Sequence, residues 1–470
     1  MSGPGVTSQA DEQLATHSSL PAALVFLALL VAVLGSLGAP LITSVATEYD
    51  VSLAAAQWTL TVTLLSAAVT TPLLGRLGSG IRRRQATLAA LVVVTTGSLC
   101  TVVPGPFALL IVGRAAQGVG LSLVPLLMAT ARDVLDPARA ARVIAMLSVA
   151  TTAAIGVGYP LAGLLTDVGG VRAAYAAGLV ATTAALLIGV RTLPHPREDA
   201  EPTPRLDWVG GGMLGVAMVG VLVPLGDDEL WSQKALAAGV LMGAGLILLL
   251  AWVFVEMRVS SPLVDLRALR HPMVARANLA MFVGGAAMYL LLSLATRYLQ
   301  TPPTAGYGFG LSTFQAGLAL VPFSFAGFAA GRATPRWVVR LGAARTVAAS
   351  TSLVAIGFGV FAVGRSVVAG PVLAVTVLGL GVGAVSAAMP AMILAATPAS
   401  ETASAMSVNQ VVRSVGFSLG SALGGFILSA RVMSTGFPEQ SGYLVASSFG
   451  GLLAIAAAIL VAVNTDNQQP

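Results

Sequence analysis

The chain has 470 residues, of which 56% are hydrophobic and only 9% charged, and its mean hydropathy is +0.88. A soluble domain carries about 25% charged residues, so most of this chain needs lipid rather than water as its solvent. The net charge of +6 admits a nucleic-acid partner by sign alone, while the single cysteine, Cys100, excludes an internal disulfide framework or a cysteine-based metal cluster.

Residues 1–19 are polar, contain no Lys or Arg and lack the charged start of a cleaved signal segment, so they read as a cytoplasmic tail. A spanning helix needs ~20 mostly apolar residues. Cutting the rest at charges and turn residues predicts fourteen such runs, at about 21–46, 54–75, 86–104, 107–131, 143–166, 172–191, 208–226, 234–256, 276–299, 312–332, 345–364, 367–395, 404–430 and 441–463. Pro40 and Pro390 fall in the first and twelfth runs, where a proline removes a helical hydrogen bond and favours a kink. The fold class is therefore all-α and polytopic.

The arginines sort by loop. Connections between even and odd runs hold 18 of the 25 Lys and Arg residues, among them Arg76, Arg82, Arg83, Arg84, Arg132, Arg139, Arg267, Arg332 and Arg340. The other connections hold Arg172, Lys234, Arg365 and Arg431, together with acids such as Asp227 and Asp228. An excess of Lys and Arg marks cytoplasmic loops, which predicts that both termini are cytoplasmic. The basic excess is thus an orientation signal, and no nucleic-acid partner is expected. "GRLGSGIRRRQ" after the second run is echoed by "RWVVRLGAARTV" after the tenth. Two similar helix–loop–helix units suggest duplicated halves around a midplane site.

Six stretches in order carry a resemblance: "PLITSVATEYDVSLAAAQWTLTVTLLSAAVTTPLLGRLGSGIRRR" (40–84), "LLIVGRAAQGVG" (109–120), "GVGYPLAGLLTD" (156–167), "RLDWVGG" (205–211), "YLQ" with "FQAGLALVPFS" (298–324) and "SVNQVVRSVGFSLGSALGG" (407–425). On these, nearly the whole chain resembles the fourteen-helix drug:proton antiporter branch of the major facilitator superfamily. The resemblance implies two pseudo-symmetric six-helix bundles, 20–191 and 276–463, with a linker and inserted helices 7 and 8 over 192–275, and a tail at 464–470. It also implies a loop acting as an inner gate, with Gly75, Ser79, Arg82, Arg83, Arg84 and Arg340, and an outer-gate helix 5, with Gly158, Tyr159, Pro160 and Gly163. The chain departs from that pattern. Ser79 replaces the usual loop acid, Arg82 a usual glycine, and Val31 a usual helix 1 acid; Val339 stands at the acidic place of the second copy, and Pro160 sits one position late. A weaker charge latch follows.

The chemistry available within the runs is sparse. Every Asp, Glu and His falls in a tail, a loop or the last turn of a run. If protons are exchanged, Glu48 and Asp50 are the nearest carriers, against the alternative that they are solvated loop acids. Arg114 lies about 12 Å along helix 4 at 1.5 Å per residue, a depth that demands partners. It either meets a substrate group or ties helix ends together, with Gln117 and Gln57 in reach. Trp58 either lines the cavity or anchors an interface. Asn409 and Arg413 share one face of helix 13; Arg413 either joins the cavity or snorkels, and snorkelling is also expected of Arg297 at the end of helix 9. Gly156, Gly158 and Gly163 suit close approach of a neighbouring helix.

No phosphate-binding loop, nucleophile elbow or zinc-protease motif occurs, so no enzyme activity, cofactor or metal is expected. The expected function is a secondary active exporter of small amphipathic, drug- or antibiotic-like compounds in the plasma membrane. It would act as a monomer by alternating access, with a proton gradient as energy source. An uncoupled facilitator, an exporter of anionic metabolites using Arg114, and a transport-dead scaffold or sensor are the alternatives.

Overall fold

The computed structural model describes residues 20–31, 33–35, 37–78, 80–194, 207–226, 228–259, 262–264, 266–394, 402–433 and 436–462. Among these the chain is helical almost throughout, apart from one isolated bridge between Val432 and Pro438.

The first helix, α1 (Leu20–Tyr49), is interrupted by a 3-10 turn at Ala39–Leu41. Pro40 lies in that turn and cannot donate a helical hydrogen bond, so the axis resets there. The helix then runs past its expected end at residue 46. It stops where Asp50 adopts a left-handed conformation, φ 51°. Ser52 caps α2 (Leu53–Leu77), its hydroxyl accepting the Ala55 N–H at 3.1 Å. Next come α3 (Arg83–Val102) and α4 (Phe107–Val134), the latter stepping at Ser122.

The fifth and sixth runs form one hydrogen-bonded stretch, Pro137–Thr192, broken at Gly169 and Gly170. Gly170 has φ 75°, a conformation that glycine adopts without a Cβ penalty. The arms are α5 (137–168) and α6 (171–192). The inserted pair is α7 (Trp208–Gly226) and α8 (Asp228–Glu256). The second half holds α9 (Pro272–Gln300), α10 (Thr313–Leu341), α11 (Ala343–Gly364), α12 (Ala369–Leu394), α13 (Thr402–Ser429) and α14 (Gln440–Ala462). Helix α12 continues through position 390, so Pro390 does not end it. Thirteen helices among the described residues are long and apolar enough to cross a membrane, with α5 and α6 taken as one. The fourteen expected runs are therefore all present as helices.

The first six helices and the last six each form a bundle, joined by α2 against α13 and α5 against α10. Helix α9 is the most enclosed, with 89% of its apolar window buried, whereas α8 has only 17% buried. Helix α9 is thus an axis of the second bundle, and α8 turns its sides to lipid. The inserted pair closes on itself where Gly220 faces Gly245, a Cβ at Gly220 coming 2.9 Å from the Gly245 Cα. Leu214 and Met218 of α7 cluster with Leu65 of α2 and with Val408 and Val411 of α13. The pair therefore covers the seam between the bundles on one side.

Hydrogen bonds assign loops to ends. Arg83 and Arg84 bond to the ends of α4 and α6, and Arg76 donates to the carbonyl of Pro262 beyond α8. These loops form one arginine-rich end. At the other end, Glu48 meets the start of α6, Gln300 meets Pro40, and Tyr307 donates to the Pro438 carbonyl.

Candidate transport pathway and its two ends

Arg114 sits two turns into α4 and is 0% exposed. Its Nε donates to the Thr59 carbonyl at 3.0 Å, and its Nη1 donates to Gln117 Oε1 at 2.7 Å and, more weakly, to the Leu34 carbonyl at 3.4 Å. Gln117 in turn donates to Ser98 Oγ at 3.0 Å on α3. One guanidinium thus ties α1, α2 and α4, and the amide beside it reaches α3. Both carbonyls also serve local donors: Thr59 O accepts from Thr63 Oγ1 at 2.8 Å and Leu34 O accepts the Leu37 N–H at 3.2 Å, while Thr63 Oγ1 also reaches Arg114 O at 3.1 Å.

Beyond this tie the polar groups converge on α9. Tyr175 of α6 lies under the Arg114 guanidinium, 5.8 Å from ring centroid to Cζ. Tyr289 of α9 is within electrostatic reach of both Arg114 and Arg413. Arg413 rests over Phe417 at 5.6 Å, and Phe417 stacks edge-on against Tyr289 at 4.9 Å. Arg114 Nη2, the hydroxyls of Tyr159 and Tyr175, and Arg413 Nε are buried without a hydrogen-bond partner. Buried polar atoms nearly always have partners, so a group of unpaired ones marks where solvent or a ligand's polar atoms fit. No residue run singled out Tyr175 or Tyr289. Their one signal in the sequence is a phenol within an otherwise apolar span.

Gln57 belongs to the contact between the bundles. It is 2% exposed, donates to Ser421 Oγ at 2.9 Å and accepts from Ser293 Oγ at 3.0 Å. Thr61 shares a 2.8 Å hydrogen bond with the same Ser421. Trp58, one residue on, points elsewhere because successive helical residues differ by about 100°. It packs with the α7–α13 cluster around Leu65. Asn409 stays within the second bundle, donating to Asn278 Oδ1 at 3.3 Å. Arg413 is half-buried over Phe417.

At the arginine-rich end, Ser79 lies outside the described residues. Arg83 donates to Gly78 O at 2.7 Å, to Ala129 O at 3.3 Å and to Asp133 Oδ2 at 2.5 Å. Arg84 donates to Leu193 O and Val190 O, each at 3.0 Å. The charge partner expected in the loop is supplied from α4 by Asp133, which also accepts from Arg132 at 3.0 Å. Arg82 and Arg340 are exposed. The arginine contacts to α4 and α6 stay within the first bundle. Gly75 needs no close approach, since nothing lies within 4 Å of a Cβ there. The tight position is Gly78, where a Cβ would come 2.9 Å from the Leu126 side chain.

At the opposite end the bundles touch backbone to backbone. A Cβ on Gly163 would lie 2.5 Å from Thr313 O, and one on Gly317 would lie 2.6 Å from Tyr159 O. Gly156 faces Ser324 in the same seam, Gly158 is buried, and Pro160 sits half-buried within α5. Asp167 at the end of α5 accepts the N–H groups of Thr313 and Phe314, each at 3.2 Å, and so caps α10 from the other bundle. Ser44 and Thr313 share a 2.9 Å hydrogen bond, and Gln300 donates to Pro40 O at 2.9 Å. Glu48, a proton carrier or a solvated loop acid by its sequence, accepts the Val171 N–H at 2.9 Å and pairs with Arg172 at 3.5 Å. Asp50 is the exposed C-cap of α1. Among the described residues, no group of three or more His, Cys, Asp or Glu could hold a metal ion.

Comparison with known proteins agrees with this architecture. The solved structures of a peptide transporter POT in complex with sulfate and of the nucleoside transporter NupG superpose with TM-scores of 0.68 and 0.64. They are 14% identical in both cases, covering 96% and 94% of this chain and 94% and 99% of those chains. At that identity they show the fold alone. Among curated relatives, the drug efflux pump JefA of Mycobacterium tuberculosis is 27% identical over 393 residues, 80% of this chain and 73% of that protein. The cephamycin export protein CmcT of Amycolatopsis lactamdurans is 29% identical over 325 residues, 67% of this chain and 64% of that one. The model of the Major Facilitator Superfamily matches residues 24–421. With thirteen membrane-length helices among the described residues, paired bundles and this match over most of its length, the chain belongs to the Major Facilitator Superfamily: it is a multi-pass membrane transporter of small molecules and not an enzyme.

Proposed function

We propose that this transporter exports small amphipathic organic compounds across the plasma membrane by alternating access, with the arginine-rich end and both termini in the cytoplasm. The observation that carries the reading is the asymmetry of the seam. Every hydrogen bond named above between the two bundles lies in the half away from the arginine-rich end, where α5 and α10 also meet backbone to backbone. The conformation is thus clasped at the exit and held at its other end by ties within one bundle. Rocking about the seam exchanges the two. The names of JefA and CmcT, a drug efflux pump and a cephamycin exporter, support the direction and the class of cargo.

The proton gradient is the proposed energy source, and a monomer the proposed working unit. A second reading concerns charge. The centre carries Arg114 and Arg413 beside phenols, and the acids described lie toward the two ends, Glu48 and Asp167 at one and Asp133 and Glu256 at the other. That polarity favours neutral or anionic cargo over lipophilic cations. Purified protein in liposomes with an imposed pH gradient, offered a fluorescent aromatic carboxylate and its amine analogue, tests all three. Gradient-driven accumulation of the carboxylate ahead of the amine is expected. Equal accumulation with and without the gradient overturns proton coupling, amine preference overturns the charge reading, and absence of flux for compounds that bind overturns export.

A further inference from the structure

A pocket of about 400 Å3 opens at the end away from the arginine-rich face. Its volume falls in the range of small-molecule sites, roughly 300–1,000 Å3. The first bundle contributes the hydroxyl residues Thr43, Thr47 and Ser52, and the second contributes Leu428 and Phe437. Arg297 forms part of the wall. It was expected to snorkel, yet it is 3% exposed, and its Nε and Nη1 are buried with no hydrogen-bond partner.

A buried guanidinium without an acceptor is unstable by several kcal/mol unless an anion reaches it. Among the described residues lining the pocket there is no carboxylate. The charged side chain's other near neighbours are the phenols of Tyr307 and Tyr443. Burial pushes the Tyr307 hydroxyl well above its ordinary value, with Tyr443 adding to the effect, so it stays neutral and supplies no counter-charge. Its proton is already committed to the Pro438 carbonyl. Stacking fixes the arrangement, because Tyr298 lies 5.1 Å from Tyr443 and 5.2 Å from Tyr307, ring centroid to centroid. Neutral rings thus wall the cation on one side, its Nε and Nη1 are enclosed, and an anion entering past the hydroxyl and apolar side chains of the pocket meets the small exposed edge of the guanidinium.

We propose that this pocket is a binding site for small organic carboxylates, separate from the central arginines, with the carboxylate on Arg297 and the apolar body against Leu428 and Phe437. Arginine matches a carboxylate with two parallel N–H donors, and such pairs are stronger than neutral hydrogen bonds. Because its walls come from both bundles, an occupant bridges them and holds this end closed. The site would thus give carboxylates on that side of the membrane a means to slow the carrier. The proposal stands whichever way transport runs.

The test is calorimetric titration of the full chain in phosphatidylcholine nanodiscs with benzoate, using benzamide as the neutral isostere. Benzoate is expected to bind at about 1 mM or tighter and benzamide to bind at least about tenfold more weakly. Arg297→Gln should weaken benzoate by about tenfold or more, and Arg297→Lys should recover part of the loss. Thr47 is exposed at the rim, so Thr47→Trp should block binding without touching the buried arginine, which keeps the test decisive if Arg297→Gln does not fold. Equal binding of benzoate and benzamide, no benzoate binding, or unchanged affinity in Thr47→Trp overturns the site. Loss of benzoate binding in phosphatidylglycerol nanodiscs would assign the pocket to lipid headgroups and also overturn it.

Discussion

Arg114 shows how a charge becomes tolerable deep in a helix bundle. Two backbone carbonyls and one amide oxygen accept from it, and a phenol ring lies beneath it. Removing the side chain leaves Gln117 Oε1 without its donor in a dry interior and takes one bond each from Thr59 O and Leu34 O, at about 1–3 kcal/mol for a buried group left unpaired. Arg114→Ala is accordingly expected to lower stability by about 3 kcal/mol as well as abolish transport. Arg114→Lys should not restore it, since one ammonium cannot fork to Thr59 and Gln117 as a planar guanidinium does. Thermal unfolding of the purified variants checks this, and a melting temperature equal to that of the parent would overturn it. The depth of Arg114 was readable from its place in the run, as was its need for partners. Gln117, three residues on, was in reach in the sequence, whereas the Thr59 and Leu34 carbonyls were not identifiable, because a carbonyl has no signature in sequence. The same limit applies to "GRLGSGIRRR". Its missing acid was legible at Ser79, whereas the charge that meets Arg83 comes from Asp133, fifty residues on, which only folding brings near.

Helices in lipid associate through packing rather than through expulsion of water, so the closest approaches carry much of the information. Gly163 and Gly317 let α5 and α10 touch backbone to backbone, while Gly75 faces open space. Gly163→Ala places a methyl 2.5 Å from a carbonyl oxygen and forces the two helices apart at the clasped end. An overpacking cost of about 1–3 kcal/mol in the clasped state alone shifts a two-state balance by roughly fivefold to a hundredfold toward the state open there. Gly75→Ala, by contrast, should be neutral or stabilising by up to about 1 kcal/mol through helix propensity. Labelling of a cysteine placed at Ser44, in a background lacking Cys100, reports the difference. Equal labelling of the two glycine variants would count against the seam as the gate. Hydrophobic run lengths exposed the fourteen helices because a bilayer fixes how long each must be. The glycine spacing in α5 exposed a close approach, but its partner helix lies more than 140 residues away and leaves no local trace. Gly75 and Gly78 look alike in the chain, and only Leu126, brought in by α4, tells them apart.

At the scale of the whole molecule, the question is whether the two bundles must separate at the clasped end for anything to cross. The contact between Ser44 and Thr313 offers a direct handle, since their hydroxyl oxygens are 2.9 Å apart and belong to different bundles. Replacing both with cysteine, with Cys100 changed to Ala, creates a pair close enough to oxidise with little backbone movement. A disulfide there does not disturb the arginine-rich end, the Arg114 tie or the central phenols, so ligand binding from the arginine-rich side should persist. Alternating access requires the clasp to open once in each cycle, and a covalent bond across it removes that half of the cycle. Transport is expected to stop on oxidation and to return with reductant, while each single-cysteine variant stays active and insensitive. A fully cross-linked protein that still transports would mean that the path does not run between these bundles. Halted transport together with retained binding would place the moving boundary at the α5–α10 seam, where the glycines, the Asp167 cap and the Gln300 contact already concentrate the ties between the halves.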